Sequence, residues 1–152
     1  VLAAAIITRL NFGKTDVIQM LNGAIGGLVA ITAEPLMPTP LTAILIGAAG
    51  GIIVVYGTKF LLLMKIDDVV GAIPAHLFAG IWGTLAVPIT NSAAKFGTQL
   101  LGIIAINGTV FVISLIIWSI MKKSIGIRLS KEGELKGTDA TETGVIAYAI
   151  RD

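Results

Sequence analysis

From Phe96 to Met121 the chain runs without a single charged side chain, and from Val69 to Ala94 the only ionisable group is His76. A third apolar stretch, Leu41 to Leu63, is interrupted only by Lys59. A bilayer's hydrocarbon core is about 30 Å thick, and a helix needs roughly 20 apolar residues to cross it. These runs predict spanning helices. Composition agrees. Of the 152 residues 55% are hydrophobic and 13% charged, whereas a soluble domain carries about 25% charged residues. So few charges cannot cover a globular surface, which argues against a water-soluble enzyme. The absence of cysteine removes disulfides, thiol chemistry and cysteine metal sites, and no cofactor is expected. A net charge of +2 is too mild for a nucleic-acid partner.

Charged and proline-rich segments divide the chain. Residues 1–8 read as the end of a truncated helix stopped by Arg9, and 9–16 as a polar loop. Asp16 and Gln19 have capping-box spacing, so a span is predicted at about 17–33. Residues 34–40 hold three prolines and cannot continue a helix. A second span is predicted at about 41–63. A charged turn follows, whose Asp67 and Asp68 suit the N-terminus of the next helix. The third span is predicted at about 69–87, closed by Pro88, and the fourth at about 96–121, ended by Lys122 and Lys123. Residues 1–123 thus form a transmembrane part. Residues 124–152 are a polar tail, too short to bury a core and so either disordered or docked on the membrane part. The chain opens Val1-Leu2-Ala3 without a basic leader and reads as the back part of something longer. Arg9, Lys14, Lys65, Lys122, Lys123 and the basic tail fall on one side, Lys95 on the other. The positive side is the cytoplasmic one, which predicts a multi-pass protein of the cell membrane with a cytosolic C-terminus.

Small residues mark the packing faces. Gly23 and Gly27, and likewise Gly47 and Gly51, form G-x-x-x-G pairs that let helix backbones approach closely in lipid. His76 lies about eight residues past Asp68, roughly 12 Å at 1.5 Å per residue, near mid-membrane. Helical spacing groups it with Ala72, Ile73, Ala79, Gly80 and Gly83, with Phe78, Ile81 and Leu85 opposite. Pro74 is expected to bend the helix there. An ionisable residue at this depth marks a pore or proton relay by default; the alternative is a buried histidine bonded to a neighbouring carbonyl. One histidine without cysteine does not predict a metal site. Asn22, Thr42, Thr58, Thr84, Asn107 and Ser114 are expected to bond between helices, each worth about 0.6 kcal/mol. Trp82, Trp118 and Tyr56 suit packing or the membrane interface.

Three stretches together resemble the Amt/Rh ammonium transporter family. Asn22 to Ala33 is similar to its N-G-A-x-x-G-L-V-x-I-T segment. Asp67-Asp68 with Pro74-Ala75-His76-Leu77-Phe78-Ala79-Gly80-Ile81-Trp82-Gly83 is similar to its D-D…H-x-x-x-G-x-x-G segment. Gly126, Arg128, Glu132, Glu134, Gly137, Asp139, Gly144, Ala147 and Tyr148 follow its tail motif. The resemblance covers nearly the whole chain. It implies the C-terminal portion of an eleven-helix all-α bundle of the bacterial Amt type: the end of helix 7, helices 8 to 11, and a cytosolic tail. It further implies a homotrimer with one pore per subunit. In such a pore ammonia and a proton pass two histidines, of which His76 matches the later. The tail residues would serve structure and regulation, with a PII-type signal protein as partner. Departures are Gly71, where the family often has aspartate, Leu77, where many members have glycine, and Thr143-Gly144-Val145 in place of H-G-E. An ammonium sensor signalling through its tail, and a non-conducting structural membrane subunit, are the alternatives to transport.

Overall fold

The computed structural model describes residues 1–145; Ala147 and Tyr148 of the tail motif lie outside the described residues. Two compact units divide at Asn107 and Gly108, and each is described by itself. Among the described residues all regular structure is helical. The order is α1 (Leu2–Phe12), α2 (Val17–Thr32), α3 (Pro40–Leu63), a π-helical turn (Ile73–Phe78) running into α4 (Ala79–Thr90), α5 (Phe96–Ser124), α6 (Lys131–Lys136) and a second π-helical turn (Asp139–Thr143).

Among the described residues three helical stretches are long and apolar enough to cross a membrane: α3 with 24 residues, Ile73–Thr90 with 18 and α5 with 29. The 16 residues of α2 reach only about 24 Å at 1.5 Å per residue, so the first predicted span, at about 17–33, falls short of the usual length. The helix starts follow local chemistry. The Asp16 carboxylate accepts the Gln19 N–H at 3.0 Å, and Thr39 Oγ1 accepts the Thr42 N–H at 3.3 Å ahead of Pro40. Each takes up an otherwise orphaned helix donor.

Two boundaries differ from the sequence expectation. Arg9 does not stop α1, which continues to Phe12 and ends where Gly13 turns left-handed at φ 70. A single exposed charge costs a helix end nothing, whereas a positive φ breaks it. Thr8 is fully buried there; its hydroxyl donates to the Ala4 carbonyl at 2.9 Å and accepts the Asp16 N–H at 3.3 Å. Pro88 does not close the third span either, since it lies inside α4. Its ring removes the N–H that the Thr84 carbonyl would otherwise accept, and the helix runs only two residues further, to Thr90.

The buried hydrophobic positions of the first unit are, apart from Leu61, small or β-branched: Ala4, Ala30, Ile46, Val54, Val55, Ala75, Ala79, Ala86 and Val87. Helices in lipid gain nothing from hiding apolar surface from one another, so association depends on close packing. Here glycines set the approach of α2 to α3. A Cβ on Gly27 would meet the Gly47 carbonyl oxygen at 3.1 Å, and one on Gly50 the Gly26 carbonyl oxygen at 2.6 Å. Gly23 is closed off by Ala4 of α1, its Cβ position 2.6 Å from that methyl, and Gly51 faces the Gly23 carbonyl at 3.6 Å. On α4, Gly83 abuts the Ala30 backbone, whereas Gly80 would place a methyl 3.7 Å from Val29, an ordinary contact. Gly80 therefore does not require the absence of a side chain, and between α2 and α3 Gly50 approaches its neighbour more tightly than Gly27, Gly47 and Gly51 of the motif do. No residue of α5 is buried.

The second unit has local order of its own. Ser130 Oγ accepts the Gly133 N–H at 3.1 Å, starting α6, and Thr141 Oγ1 donates back to the Gly133 carbonyl at 3.2 Å. The segment 131–143 is thus a folded turn-and-helix unit, not a featureless tail.

Candidate functional site

The site begins in the link between α3 and the π-helical turn. Asp68 caps the turn with both oxygens: Oδ1 accepts the Ala72 N–H at 2.9 Å and Oδ2 the Ile73 N–H at 2.8 Å. This matches the expected place of an aspartate at that helix start. Gly71 is left-handed at φ 74, so residues 69–71 are a link and not the first turn of a span. Asn22 of α2 donates from Nδ2 to the Val70 carbonyl at 2.8 Å. It bonds a loop backbone, not a facing helix as expected.

Pro74 removes one backbone donor from the first turn, and the Ala79 N–H reaches the Pro74 carbonyl in the wider π pattern as well as that of His76. π-helical turns within α-helices are frequent at functional sites. The turn is wedged against α3. Pro74 and Ala75 are buried, and Phe78 meets Phe60 with ring centroids 6.4 Å apart and planes tilted by 57°. Gly57 leaves room for Phe78, whose ring would be 2.7 Å from a Cβ there. Further along, the Trp82 indole N–H donates to the Ile46 carbonyl at 3.0 Å, fixing α4 on α3.

With its neighbours held inward, the His76 side chain is exposed and lines a cavity of about 300 Å³. Leu77, Gly80, Ile81 and Thr84 line it from the same helix, and Gln99, Gly102 and Asn107 from α5. Among the described residues no hydrogen bond is made to the imidazole. The expected stripe of small residues around His76 is split. Ala79 and Gly83 are buried away from it, while Ile81, expected on the opposite face, shares its cavity. Positions 76, 80 and 84 follow one face at intervals of four. Thr84 is part of that face and turns its hydroxyl proton to the Gly80 carbonyl at 2.9 Å, leaving its oxygen free to accept. Thr58 donates to the Val54 carbonyl of its own helix at 2.9 Å, and its hydroxyl lies 3.4 Å from Gln19 Oε1 of α2.

In the second unit, Arg128 Nε and Glu134 Oε1 form an ion pair at 2.6 Å. Gly126 is left-handed at φ 77. Gly137 ends α6 at φ 102, where a Cβ would fall 2.7 Å from Asp139 Oδ1. Glu132 is exposed, and the Asp139 carbonyl accepts the Thr143 hydroxyl at 2.6 Å. The hydrogen bond and charge of Arg128 hold the Glu134 carboxyl below its ordinary value of 4.5 and raise Arg128. A depressed carboxyl stabilises the folded form above the unfolded pKa and loses that contribution as pH falls through the folded one. Acidification through the lowered value of the Glu134 carboxyl is therefore expected to loosen α6, read as faster amide exchange at Glu134 to Lys136. Both partners are exposed, so the effect is small and weakens with salt.

Clustered apolar helices with no polar cover define a multi-pass membrane protein, in which an exposed histidine lines an open cavity. The chain belongs to the Ammonium Transporter Family, which it matches over residues 1–148. It is 39% identical over 165 aligned residues to the ammonium transporter Amt2 of Archaeoglobus fulgidus, covering 95% of this chain and 35% of that protein. It is 35% identical to the ammonium transporter Amt1 of Haloferax mediterranei, covering 95% and 29%, and 32% identical to the ammonium transporter of Bacillus subtilis, covering 89% and 37%. The chain thus spans about a third of the length of these relatives. No solved structure matches it.

Asp68 was legible as a helix-start residue, but the roles of Asn22 and Gly71 were not. Their only sequence signal is an asparagine ahead of a glycine stripe and a glycine three residues after the Asp-Asp pair.

Proposed function

We propose that this chain supplies the C-terminal third of a membrane ammonium transporter and that His76 lines the conducting path. The observation that carries this is an imidazole with no hydrogen bond among the described residues, opening on an otherwise largely apolar cavity in a chain of this family. The names of the relatives, all ammonium transporters, favour transport over sensing or a purely structural role.

The chemistry is consistent. An unpaired ion in an apolar passage pays a heavy desolvation penalty. Ammonium can shed that penalty with its proton, and the resulting ammonia can hydrogen-bond to a neutral imidazole, which offers one donor and one acceptor. Potassium has no proton to lose and is rejected by the same dryness. The exposed apolar side chains of α5, such as Leu101, Phe111 and Trp118, suit contact with lipid and with the remaining helices of an eleven-helix subunit. In this reading the subunit is one of three, the C-terminus is cytosolic as the basic residues suggest, and the Arg128–Glu134 unit with Gly126, Gly137 and Asp139 is the contact point for regulation by a PII-type protein.

Expression of the complete protein in cells stripped of their own ammonium transporters tests this. Growth on limiting ammonium is expected to be restored; unchanged growth with the protein present in the membrane contradicts it.

A further inference from the structure

We propose that Asn22 is a positioning residue for His76, acting through the backbone of Val70 and Gly71. The proposal rests on the reading of His76 as a conducting-path residue and adds what sets its position.

The bonds around the link are of two kinds. Asp68 binds the Ala72 and Ile73 N–H groups at 2.9 and 2.8 Å, its carbonyl accepts the Gly71 N–H at 3.2 Å, and the Gly71 carbonyl accepts the Ala75 N–H at 3.2 Å. All of these lie within one continuous segment. They shape the turn, but they do not place it against the rest of the bundle. The bond from Asn22 Nδ2 to the Val70 carbonyl at 2.8 Å comes from 48 residues away. It ties the link to α2, itself locked to α3 by glycine contact. The fit is steric as well. Gly71 is buried, and a Cβ on it would lie 2.5 Å from Asn22 Nδ2. The asparagine amide thus occupies the space that a side chain at 71 would need, and the left-handed φ of 74 is one that glycine adopts freely. Pro74 has no N–H with which a neighbour could hold the turn. His76 follows five residues after Gly71, so a shift of the link is carried directly to the imidazole.

The test compares Asn22→Leu, which keeps the size and removes the donor, with Asn22→Ser, which is small and still polar, in the complete protein. Three quantities are read: folded protein in detergent, ammonium transport in proteoliposomes, and the ¹⁵N imidazole signal that disappears in His76→Ala. Both variants are expected to fold in near wild-type amounts. Asn22→Leu is expected to lower transport by about ten- to a hundredfold, the order that displacement of a key group by about 1 Å brings, and to move the His76 signal while other histidine signals stay. Wild-type transport with an unmoved signal overturns the proposal, as does slowed transport with an unmoved signal. Loss of folded protein in both variants also overturns it, since Asn22 is then simply structural. Wild-type transport by His76→Ala is a different failure: it removes the conducting role of His76, while a moved signal in Asn22→Leu still upholds the positioning.

Discussion

A leucine in place of Gly50 is expected to remove most of the folded protein from the membrane. The Cβ alone would stand 2.6 Å from the Gly26 carbonyl oxygen and 2.9 Å from the Ala30 methyl. The first obstacle is backbone on the neighbouring helix, which cannot turn aside as a side chain can. Extra methylenes forced into a packed interior cost about 1–3 kcal/mol where neighbours yield, and here α2 and α3 must part. Their separation would also undo the Gly27–Gly47 approach and the seat of Ala79 and Gly83 on α2. A loss at or above the top of that range consumes much of a typical 5–15 kcal/mol stability. Size-exclusion profiles of detergent-extracted complete protein would show the loss as a reduced or aggregated peak. Gly80→Ala, by contrast, adds a methyl at ordinary contact distance from Val29 and should give a wild-type profile. Equal profiles for Gly50→Leu and Gly80→Ala would show that the glycine contact does not hold the bundle.

The second large effect is expected at His76. Alanine keeps helix propensity and removes the ionisable side chain of the cavity, whose imidazole can both donate to and accept from a passing ammonia. Leaving a polar solute unpaired in a dry site costs about 1–3 kcal/mol, and 1.4 kcal/mol is a factor of ten in rate. Uptake of ammonium by the complete protein should therefore fall about five- to a hundredfold in His76→Ala. Glutamine, which donates and accepts but does not titrate, should restore part of the flux if hydrogen bonding is what matters. Recovery to no better than alanine would point to the imidazole's protonation instead. Unchanged uptake in His76→Ala would contradict a conducting role for this residue.

The spans were legible because their signal is continuous. Long runs without charge leave few alternatives to a helix in lipid, and α3 and α5 begin within a residue of their expected starts. The details around the site depend on backbone conformation, which residue type encodes only in part. The run Val69-Val70-Gly71 is apolar and looks like the first turn of a span, yet Gly71 is left-handed. The π-helical turn arises where a proline and wedged side chains meet the face of α3, a tertiary circumstance. It is also why Ile81 joins the His76 cavity while Ala79 and Gly83 turn inward. Arg9 and Pro88 misled in opposite ways. An exposed arginine is a good helix former and does not stop α1, and Pro88 stands inside α4, which ends two residues later at Thr90. In the tail, Arg128 and Glu134 are six residues apart, a spacing that no regular helix face brings together. Only the turn at Ser130 makes them a pair.

The most direct measurement of the central claim is the current carried by the complete protein in a planar bilayer or oocyte when ammonium is exchanged for potassium at equal concentration. A passage that admits its substrate only by shedding a proton next to His76 predicts current or uptake with ammonium and none above background with potassium. Potassium currents of similar size would mean an aqueous cation pore, and the account of this site would be wrong.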